Sequence, residues 1–534
     1  MKPRLPWPSL LALAAAVLLL SVLLNFDYPA ARLFSWRLLL PSVDVCLLLL
    51  LLALAAGGGK RTLFRTTSLL WVLFLVLRLL RIGDTVVPLY LDRPFNLYID
   101  AGYLYGLYDL LKTSARPGDF LLLATAAVLT TLAFAALSWL AWRGAAKALT
   151  DHRIRAPLLG GAGVILGAAL IWGWQPARPP ALVRLGQELR SIHQQIEQQQ
   201  AFVARLEQTA RARSAGPPAT LGGLGGADVL LFIIESYGHV VFNQPQYRPA
   251  IAATMDRFGR TLAEHGFSAV SSYLLSSTYG GESWLAHGTL ESGVRVGNDL
   301  EETALLRSSL EPMAEIFDRN GYRTVSVMPG TRFAFPQGAY FGYQQAYYAW
   351  HFDYKGPPYG WAPMPDQFVL DWVRRREFLS RDREKPLFLR YALISSHASF
   401  NIQPPYIADW QTIGDGSCYH DRQPVLFPTE WAHLDQAGEA YLRSLEYEFT
   451  ILGDYLSHYL TADTLIIILG DHQPNLQLTG PGQPWSVPVH IISRNPRLLD
   501  PFRRRGYTAG LVPAQPLPHA GMETLLPGLL EDFM

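Results

Sequence analysis

Acidic, hydroxyl and imidazole side chains follow four strand-like apolar segments in the C-terminal part of the chain. DVLLFII is followed by Glu235, SAVSSYLL by a turn that contains Thr278, PLFLRYALIS by His397, and TLIIILG by Asp471 and His472. Open α/β sheets bind their ligands beyond the carboxyl ends of the strands. The sequence therefore predicts that these side chains meet at one edge of a sheet.

The residue types indicate metal-dependent group transfer. Glu235, Asp471 and His472 offer the oxygen and nitrogen ligands that suit Zn²⁺ or Mn²⁺, and Thr278 is a fourth candidate ligand. A hydroxyl becomes a good nucleophile when a metal or a base activates it. Thr278 precedes the helical segment GGESWLAHGTLESG, and free N–H groups at the start of a helix bind anions such as phosphate. We therefore predict phosphoryl or sulfuryl transfer through a covalent intermediate on Thr278.

Each of these residues has an ordinary structural explanation when it is taken alone. Asp471 and His472 could cap a turn, Glu235 could end a strand in solvent, and Thr278 could be the N-cap of a helix. Their joint placement after apolar strands favours a metal site. The remaining histidines of this region lack such placement, and surface or packing roles are predicted for His265, His287, His420, His433 and His490.

The elements that must position these residues belong to an α/β fold. Strand-like and helical segments alternate over residues 227–534, which is typical of a doubly wound sheet with helices on both faces. Near-continuous apolar strands such as DVLLFII are typical of buried parallel sheets. We therefore predict one large α/β domain in this part of the chain.

The first third of the chain is predicted to be a membrane domain, residues 1–176. Its apolar stretches are each near the roughly 20 residues that a membrane-spanning helix needs. They run over about residues 6–25, 37–56, 66–83, 119–142 and 156–175. Lys and Arg lie before the first span, between the second and third, and between the fourth and fifth. The positive-inside rule then places the N-terminus in the cytoplasm and everything after the fifth span outside the cytoplasmic membrane.

Residues 177–226 are predicted to be a linker, with a polar helix over 181–213 that precedes a Pro- and Gly-rich segment. The whole chain is 50% hydrophobic and 17% charged, with a mean hydropathy of +0.12. Soluble domains carry about 25% charged residues, so this composition argues against a purely soluble protein and against disorder. A net charge of +1 gives no indication of a nucleic-acid partner. Cys46 and Cys418 lie in dissimilar surroundings, and no disulfide is expected between them.

The ordered set of motifs resembles the alkaline phosphatase/sulfatase superfamily. FIIES supplies Glu235 as the first metal ligand, SSTYGGESW supplies Thr278 as the nucleophile, SSHASF supplies His397 as the substrate-phosphate histidine, and LGDHQP supplies the Asp471–His472 metal pair. The layout is similar to the membrane-anchored branch, which includes lipoteichoic acid synthase-type phosphoglycerol transferases and lipid A phosphoethanolamine transferases. The resemblance implies five transmembrane helices followed by an extracytoplasmic catalytic domain with a mostly parallel sheet.

The resemblance implies a membrane-bound transferase that needs Zn²⁺ or Mn²⁺. A phosphoethanolamine or phosphoglycerol headgroup would move from a phospholipid donor to a glycan or lipid-linked acceptor through phospho-Thr278. His397 would stabilise the phosphate or help to protonate the leaving group. The C/S-x-P-x-R motif of sulfatases proper does not occur around Thr278, which disfavours sulfate ester hydrolysis. Arg332, Tyr340 and Trp361 are candidates to line the headgroup site. The alternatives are an ester hydrolase of the same superfamily and a non-catalytic membrane scaffold or sensor.

Overall fold

The computed structural model describes residues 7–26, 41–102, 117–171, 181–216, 219–333, 335–379, 384–427, 434–460 and 463–534. The chain divides into two compact units. The first comprises Met1–Leu89 and Arg93–Gln198, and the second comprises Tyr90–Asp92 and Gln199–Met534. Both cysteines are free.

The described part of the first unit is helical. Its helices are α1 (Trp7–Asn25), α2 (Val43–Ala55), α3 (Lys60–Leu91), α4 (Leu97–Asp100), α5 (Pro117–Leu149), α6 (His152–Ile171) and the first part of α7 (Ala181–Ala215), which continues into the second unit. Leucine, phenylalanine and tryptophan side chains of α1, α2, α3 and α5 form the buried core, for example Leu20, Leu52, Phe74 and Trp142.

Two helices of the described chain are long and apolar enough to cross a membrane, Trp7–Asn25 and Gly118–Leu149. The apolar helix α2 has only 13 residues, and α3 carries Arg78, Arg81 and Asp84 in its second half. Residues 37–40 and 172–175, the outer ends of the predicted second and fifth spans, lie outside the described residues. Two apolar helices support membrane association, and the bundle of five spans stays a prediction.

The one charged residue of the apolar helix α2, Asp44, has a structural role. Asp44 is 2% exposed, and its two oxygens accept hydrogen bonds from the backbone N–H groups of Ala181 and Leu182, at 2.9 and 3.0 Å. These N–H groups open α7 and have no partner within that helix. Asp44 therefore caps α7 across the unit.

The second unit is built on a nine-stranded sheet and a two-stranded ribbon. The strands are β1 (Asp228–Ile234), β2 (Ser268–Leu275), β3 (Arg323–Met328), β4 (Gln345–Tyr348), β5 (Leu387–Leu393), β6 (Ile402–Gln403), β7 (Val425–Leu426), β8 (Thr464–Gly470), β9 (Ser486–Ser493), β10 (Thr508–Ala509) and β11 (Ala520–Gly521). The main order is β10-β2-β9-β8-β1-β5-β3-β4, with β11 paired to β2, and β6 pairs with β7.

The sheet is mixed and mostly parallel, as predicted. The segment β8-β1-β5-β3-β4 is parallel. Strand β9 runs antiparallel to both of its neighbours, β8 and β2. Because two reversals restore the direction, β2 runs the same way as β8 and ends at the same edge of the sheet.

Both faces of the sheet are covered. In β1, Leu230 and Phe232 contribute to one hydrophobic core and Val229 and Leu231 to the other, as the two-residue period of a strand requires. The helices of this unit are α8 (Val240–Asn243), α9 (Arg248–Glu264), α10 (Ser283–Ser292), α11 (Asp299–Leu306), α12 (Met313–Arg319), α13 (Gly338–Phe341), α14 (Asp366–Val373), α15 (Leu434–Tyr459), α16 (Leu476–Thr479), α17 (Asp500–Arg504) and α18 (Leu525–Phe533). This arrangement is the predicted α/β layering.

Candidate active site

Three of the predicted site residues lie together at the carboxyl edge of the sheet. Ile234, the last residue of β1, pairs in register with Gly470 of β8 on one side and Leu393 of β5 on the other. The residues that follow these strand ends are therefore neighbours. Glu235, Asp471 and His472 form a group whose ligand atoms all lie within 4.8 Å of one another and could hold a metal ion.

One carboxylate oxygen of this group has no hydrogen-bond donor among the described residues. Oδ1 of Asp471 accepts the backbone N–H groups of Ser236 (2.8 Å) and His472 (2.7 Å), whereas its buried Oδ2 has no hydrogen-bond partner within that part of the chain. Nδ1 of His472 lies 2.7 Å from the carbonyl oxygen of Gln473. A carbonyl oxygen only accepts, so Nδ1 carries the proton and Nε2 presents its lone pair to the group when the ring is neutral.

Electrostatics also fit a divalent cation. Burial and the charge of Glu235 raise the pKa of Asp471 to about 7. Burial would lower the pKa of His472, but the charges of Asp471 and Glu235 outweigh it and raise that pKa to about 9. Burial would raise the pKa of Glu235, but the charge of His472 and a hydrogen bond with it lower the pKa instead. Without a metal the group retains extra protons on Asp471 and His472, and a divalent cation supplies the same positive charge.

A glycine before Asp471 lets β8 approach the segment that follows Glu235. A Cβ atom built on Gly470 would lie 1.8 Å from the carbonyl oxygen of Tyr237. We expect Gly470→Ala to lower the free energy of unfolding by at least about 2 kcal/mol, because backbone must shift to admit the methyl group. The melting temperature of the full-length protein and its retained metal are the measurements.

Gly259→Ala is the matched control for this substitution, since its Cβ would meet only a leucine methyl group at 3.5 Å. We expect that variant to melt at the same temperature as the unsubstituted protein or slightly higher, because alanine favours the interior of helix α9, and to retain the same metal content. A Gly470→Ala protein with unchanged stability and metal content would contradict the close approach of the two segments.

The hydroxyl that contacts this group belongs to Ser283. It is the first residue of α10, and its Oγ lies 3.0 Å from Oε2 of Glu235 and 3.2 Å from Nε2 of His472. The turn from β2 into α10 is tight, with left-handed backbone at Gly280 (φ +71°) and at Glu282 (φ +63°). Left-handed backbone is strained at a non-glycine residue and is often found at active sites. The turn therefore presents Ser283 at the start of a ten-residue helix, beside the candidate metal ligands.

Thr278, the predicted nucleophile and fourth ligand, lies elsewhere in this turn. It is 1% exposed, and its hydroxyl donates to the carbonyl oxygen of Gly281. Within the described chain, its hydrogen bonds stay inside the turn, at Ser276 and Gly281, and it does not line the adjoining cavity. Thr278 stabilises the turn that presents Ser283.

His397 lines a cavity that the three candidate ligands and Ser283 also line. The cavity has a volume of about 380 Å³. The imidazole of His397 stacks on Trp361, with ring centroids 4.0 Å apart and an interplanar angle of 11°. Of the three residues proposed to line a headgroup site, Trp361 lines the cavity, whereas Arg332 does not and its guanidinium is 5.7 Å from the centroid of the Trp361 ring. Tyr340 packs instead against a hydrophobic cluster that includes Phe202 and Leu206 of α7.

The structure gives the other histidines different positions. His287 lines the cavity beside the candidate ligands. His490 is buried between Ser271 and Tyr237 as a packing residue, and His265 and His420 are exposed. His433 lies outside the described residues.

Comparison with known proteins identifies the family. The sulfatase family model matches residues 228–502, which is more than half of the 534-residue chain and includes the entire candidate site. The chain belongs to the sulfatase family. This family lies in the alkaline phosphatase/sulfatase superfamily, and the assignment supports an enzyme of that superfamily. No curated protein matches the chain.

Distant solved structures of the superfamily are similar to parts of the chain. The lipoteichoic acid synthase LtaP from Listeria monocytogenes is 14% identical over 57% of this chain and 76% of its own, with a TM-score of 0.38. The phosphoglycerol transferase GacH from Streptococcus pyogenes, solved with sn-glycerol-1-phosphate, is 11% identical over 63% and 91%, with a TM-score of 0.35. The C-terminal periplasmic domain of EcEptC from Escherichia coli is 13% identical over 52% and 74%, with a TM-score of 0.35.

Proposed function

We propose that this member of the sulfatase family is a membrane-bound, metal-dependent transferase with Ser283 as its nucleophile. It moves a phospho-headgroup, phosphoethanolamine or phosphoglycerol, from a phospholipid to an extracytoplasmic glycan or lipid-linked acceptor. The observation that carries the proposal is the position of Ser283 Oγ, 3.0 Å from Glu235 and 3.2 Å from His472 at the start of α10. The hydroxyl, the candidate ligands and the helix start meet at one point.

Glu235, Asp471 and His472 would hold a divalent metal, Zn²⁺ or Mn²⁺. When bound, it acts as a Lewis acid that lowers the pKa of a nearby hydroxyl and offsets charge on a phosphoryl group. The Ser283 hydroxyl donates to Oε2 of Glu235, which orients the Oγ lone pairs away from the carboxylate. The N–H groups that open α10 face an anion held at Ser283.

The transfer takes place in two displacements. In the first, Ser283 Oγ releases its proton to solvent and bonds to phosphorus, the bond from phosphorus to the diacylglycerol oxygen breaks, and that oxygen takes a proton to leave as diacylglycerol. His397, which lines the cavity, would donate this proton. In the second, an acceptor hydroxyl returns a proton to His397 and its oxygen bonds to phosphorus, while the bond from phosphorus to Ser283 Oγ breaks and Oγ takes up a proton from solvent.

The first unit supports a lipid donor. Its two long apolar helices would hold the chain in a membrane. The five predicted spans, together with the Lys and Arg distribution, favour a cytoplasmic N-terminus and a catalytic domain outside. The cavity presents more apolar than polar surface, and Trp284, Phe335 and Trp361 line it beside the polar groups. Such a lining suits an organic headgroup more than a bare inorganic ion.

The test uses the full-length protein in detergent micelles with phosphatidylglycerol and phosphatidylethanolamine, followed by intact-protein and peptide mass spectrometry. We expect a glycerophosphate or phosphoethanolamine adduct on the peptide that contains both Thr278 and Ser283, with fragment ions that assign it to Ser283. The mass of the adduct identifies the donor. An adduct on Thr278 would overturn the nucleophile assignment.

Two other outcomes separate the alternatives. Diacylglycerol release with free phospho-headgroup and no need for an acceptor indicates a hydrolase of the same family. A protein that never retains metal during purification, and that releases no diacylglycerol, indicates a scaffold or sensor.

A further inference from the structure

Helix α10 carries more than its first residue into the cavity. Ser283, His287 and Glu291 are spaced four residues apart, which places them on one face of the helix. All three line the cavity, together with Arg390 of β5. The mechanism proposed above uses only Ser283, so the other side chains of this face have no role in it.

Arg390 contacts two side chains of this helix face, Glu291 and His287. It is 2% exposed and forms an ion pair with Glu291 at 3.2 Å. One of its terminal N–H groups lies 2.7 Å from Nδ1 of His287. Glu291 also accepts a hydrogen bond of 2.8 Å from the hydroxyl of Tyr343. The guanidinium is therefore held in place by a buried carboxylate.

This contact fixes the protonation of His287. Arginine only donates hydrogen bonds, so Nδ1 of His287 must accept, and a neutral imidazole then carries its proton on Nε2. Burial and the neighbouring charge of Arg390 hold the pKa of His287 well below its ordinary range. The ring is accordingly a neutral Nε2–H donor at physiological pH.

The Nε2–H group has no recipient in the described chain. It is buried and lacks a hydrogen-bond partner. A buried donor without a partner is unfavourable and is uncommon in native proteins. The charges of Glu235 and His472 act on the same imidazole, so the ring lies near the group where a phosphoryl substrate would bind. An acceptor oxygen of the substrate would satisfy this donor.

We propose, resting on the function proposed above, that His287 donates its Nε2–H to a non-bridging oxygen of the phosphoryl group held at Ser283. Arg390 is then a positioning residue, because its hydrogen bond to Nδ1 selects the tautomer of His287. His287 remains neutral throughout and moves no proton. It recognises oxygen, in contrast to the ligand group, which would recognise phosphate through a cation.

Inorganic phosphate is the probe, since it tests the subsite whatever the donor lipid is. The full-length protein in micelles, loaded with Zn²⁺ or Mn²⁺, is titrated with phosphate by calorimetry. His287→Asn retains an acceptor for Arg390 but withdraws the distal N–H, and we expect the dissociation constant to rise at least about tenfold. His287→Gln returns an amide N–H near the Nε2 position, and we expect it to bind within about threefold of the unsubstituted protein.

His265→Asn, at an exposed histidine at the end of α9, is the matched control and should bind phosphate normally. Equal phosphate binding by His287→Asn and the unsubstituted protein would overturn the inference. So would equally weak binding by His287→Asn and His287→Gln, which would indicate packing in place of donation. Failure of the unsubstituted protein to bind phosphate at all would also overturn it.

The pH profile of headgroup release adds an independent readout. A neutral donor predicts that His287→Gln keeps the shape of the profile, whereas loss of one limb would make His287 an acid or base and overturn the inference. If no lipid serves as donor but phosphate binding responds to His287 as expected, the proposed transfer fails while the oxygen-binding role of His287 stands.

Discussion

Ser283→Ala is expected to lower headgroup release from phospholipid by at least about 10³-fold, because removal of a covalent nucleophile leaves no group to form the intermediate. The fold and the metal should be retained, since Glu235, Asp471 and His472 all remain. The measurements are the rate of diacylglycerol release, the metal content of the purified protein and its melting temperature. The adduct on the active-site peptide should disappear in the same variant.

Thr278→Val is the matched control, because it removes a hydroxyl from the same turn five residues earlier. We expect its rate of diacylglycerol release to fall by less than about tenfold. The variant loses the hydrogen bond to Gly281, which loosens the turn but leaves the Ser283 hydroxyl in place. The opposite pattern, with Thr278→Val inactive and Ser283→Ala active, would restore Thr278 as the nucleophile. Equal losses in both variants with a lowered melting temperature would indicate a collapsed turn.

The strands could be predicted from sequence because apolar side chains fill both of their faces. Segments DVLLFII and TLIIILG coincide with β1 and β8. Once β1, β5 and β8 are parallel neighbours, Glu235 and the Asp471–His472 pair must adjoin. This part of the site follows from strand ends alone. The direction of β9 does not, because an apolar run reads the same in a parallel or an antiparallel strand.

The sequence alone does not distinguish Ser283 from Thr278 as the proposed nucleophile, because the choice among neighbouring hydroxyls depends on backbone conformation. Four candidates, Ser276, Ser277, Thr278 and Ser283, follow β2. Left-handed backbone at Gly280 and Glu282 turns the chain back towards β1 before α10 begins. The Gly-Gly pair was a visible signal that a turn lay between Thr278 and the helix. A chain that reverses at this turn brings Ser283, at the start of α10, closer to the end of β1 than Thr278, which precedes the turn.

His287 was missed for a different reason. Its tautomer depends on Arg390, which is 103 residues away in sequence and comes from β5. The four-residue spacing of Ser283, His287 and Glu291 was visible, but it is also compatible with an ordinary exposed helix face. Only the contacts of His287 and Glu291 with Arg390 of β5 distinguish a cavity-lining face from an exposed one. In the first unit, an apolar composition is likewise not enough to establish a membrane span. Helix α3 carries charged residues within its apolar segment, and α2 is shorter than a span requires.

Removal of the metal is expected to reduce turnover at least about 10³-fold, and the loss of stability on removal should increase between pH 6 and pH 9. In the metal-free protein the pKa of Asp471 is raised to about 7 and that of His472 to about 9. A raised folded-state pKa stabilises the fold below the unfolded value, and this stability is lost as pH rises through the folded value. Both groups therefore destabilise the metal-free fold over this range.

A bound divalent cation supplies the positive charge that the two protons supply at lower pH, so the metal-loaded fold should not share this loss. The lowered pKa of Glu235 adds nothing between pH 6 and pH 9, because that carboxyl is ionised throughout. The measurement is the melting temperature of the full-length protein with chelator or with excess Zn²⁺ or Mn²⁺, at pH 6, 7, 8 and 9. We expect the gap between the two conditions to widen with pH.

Asp471→Asn tests the cause, because the amide has the shape of the protonated carboxyl but cannot ionise. Its metal-free melting temperature should depend less on pH, and its response to added metal should be small at every pH. A gap that stays constant or narrows towards pH 9 in the unsubstituted protein would mean that Asp471 and His472 are not metal ligands. The nucleophile test with Ser283 would remain valid in that case, since the serine contacts Glu235 and His472 directly.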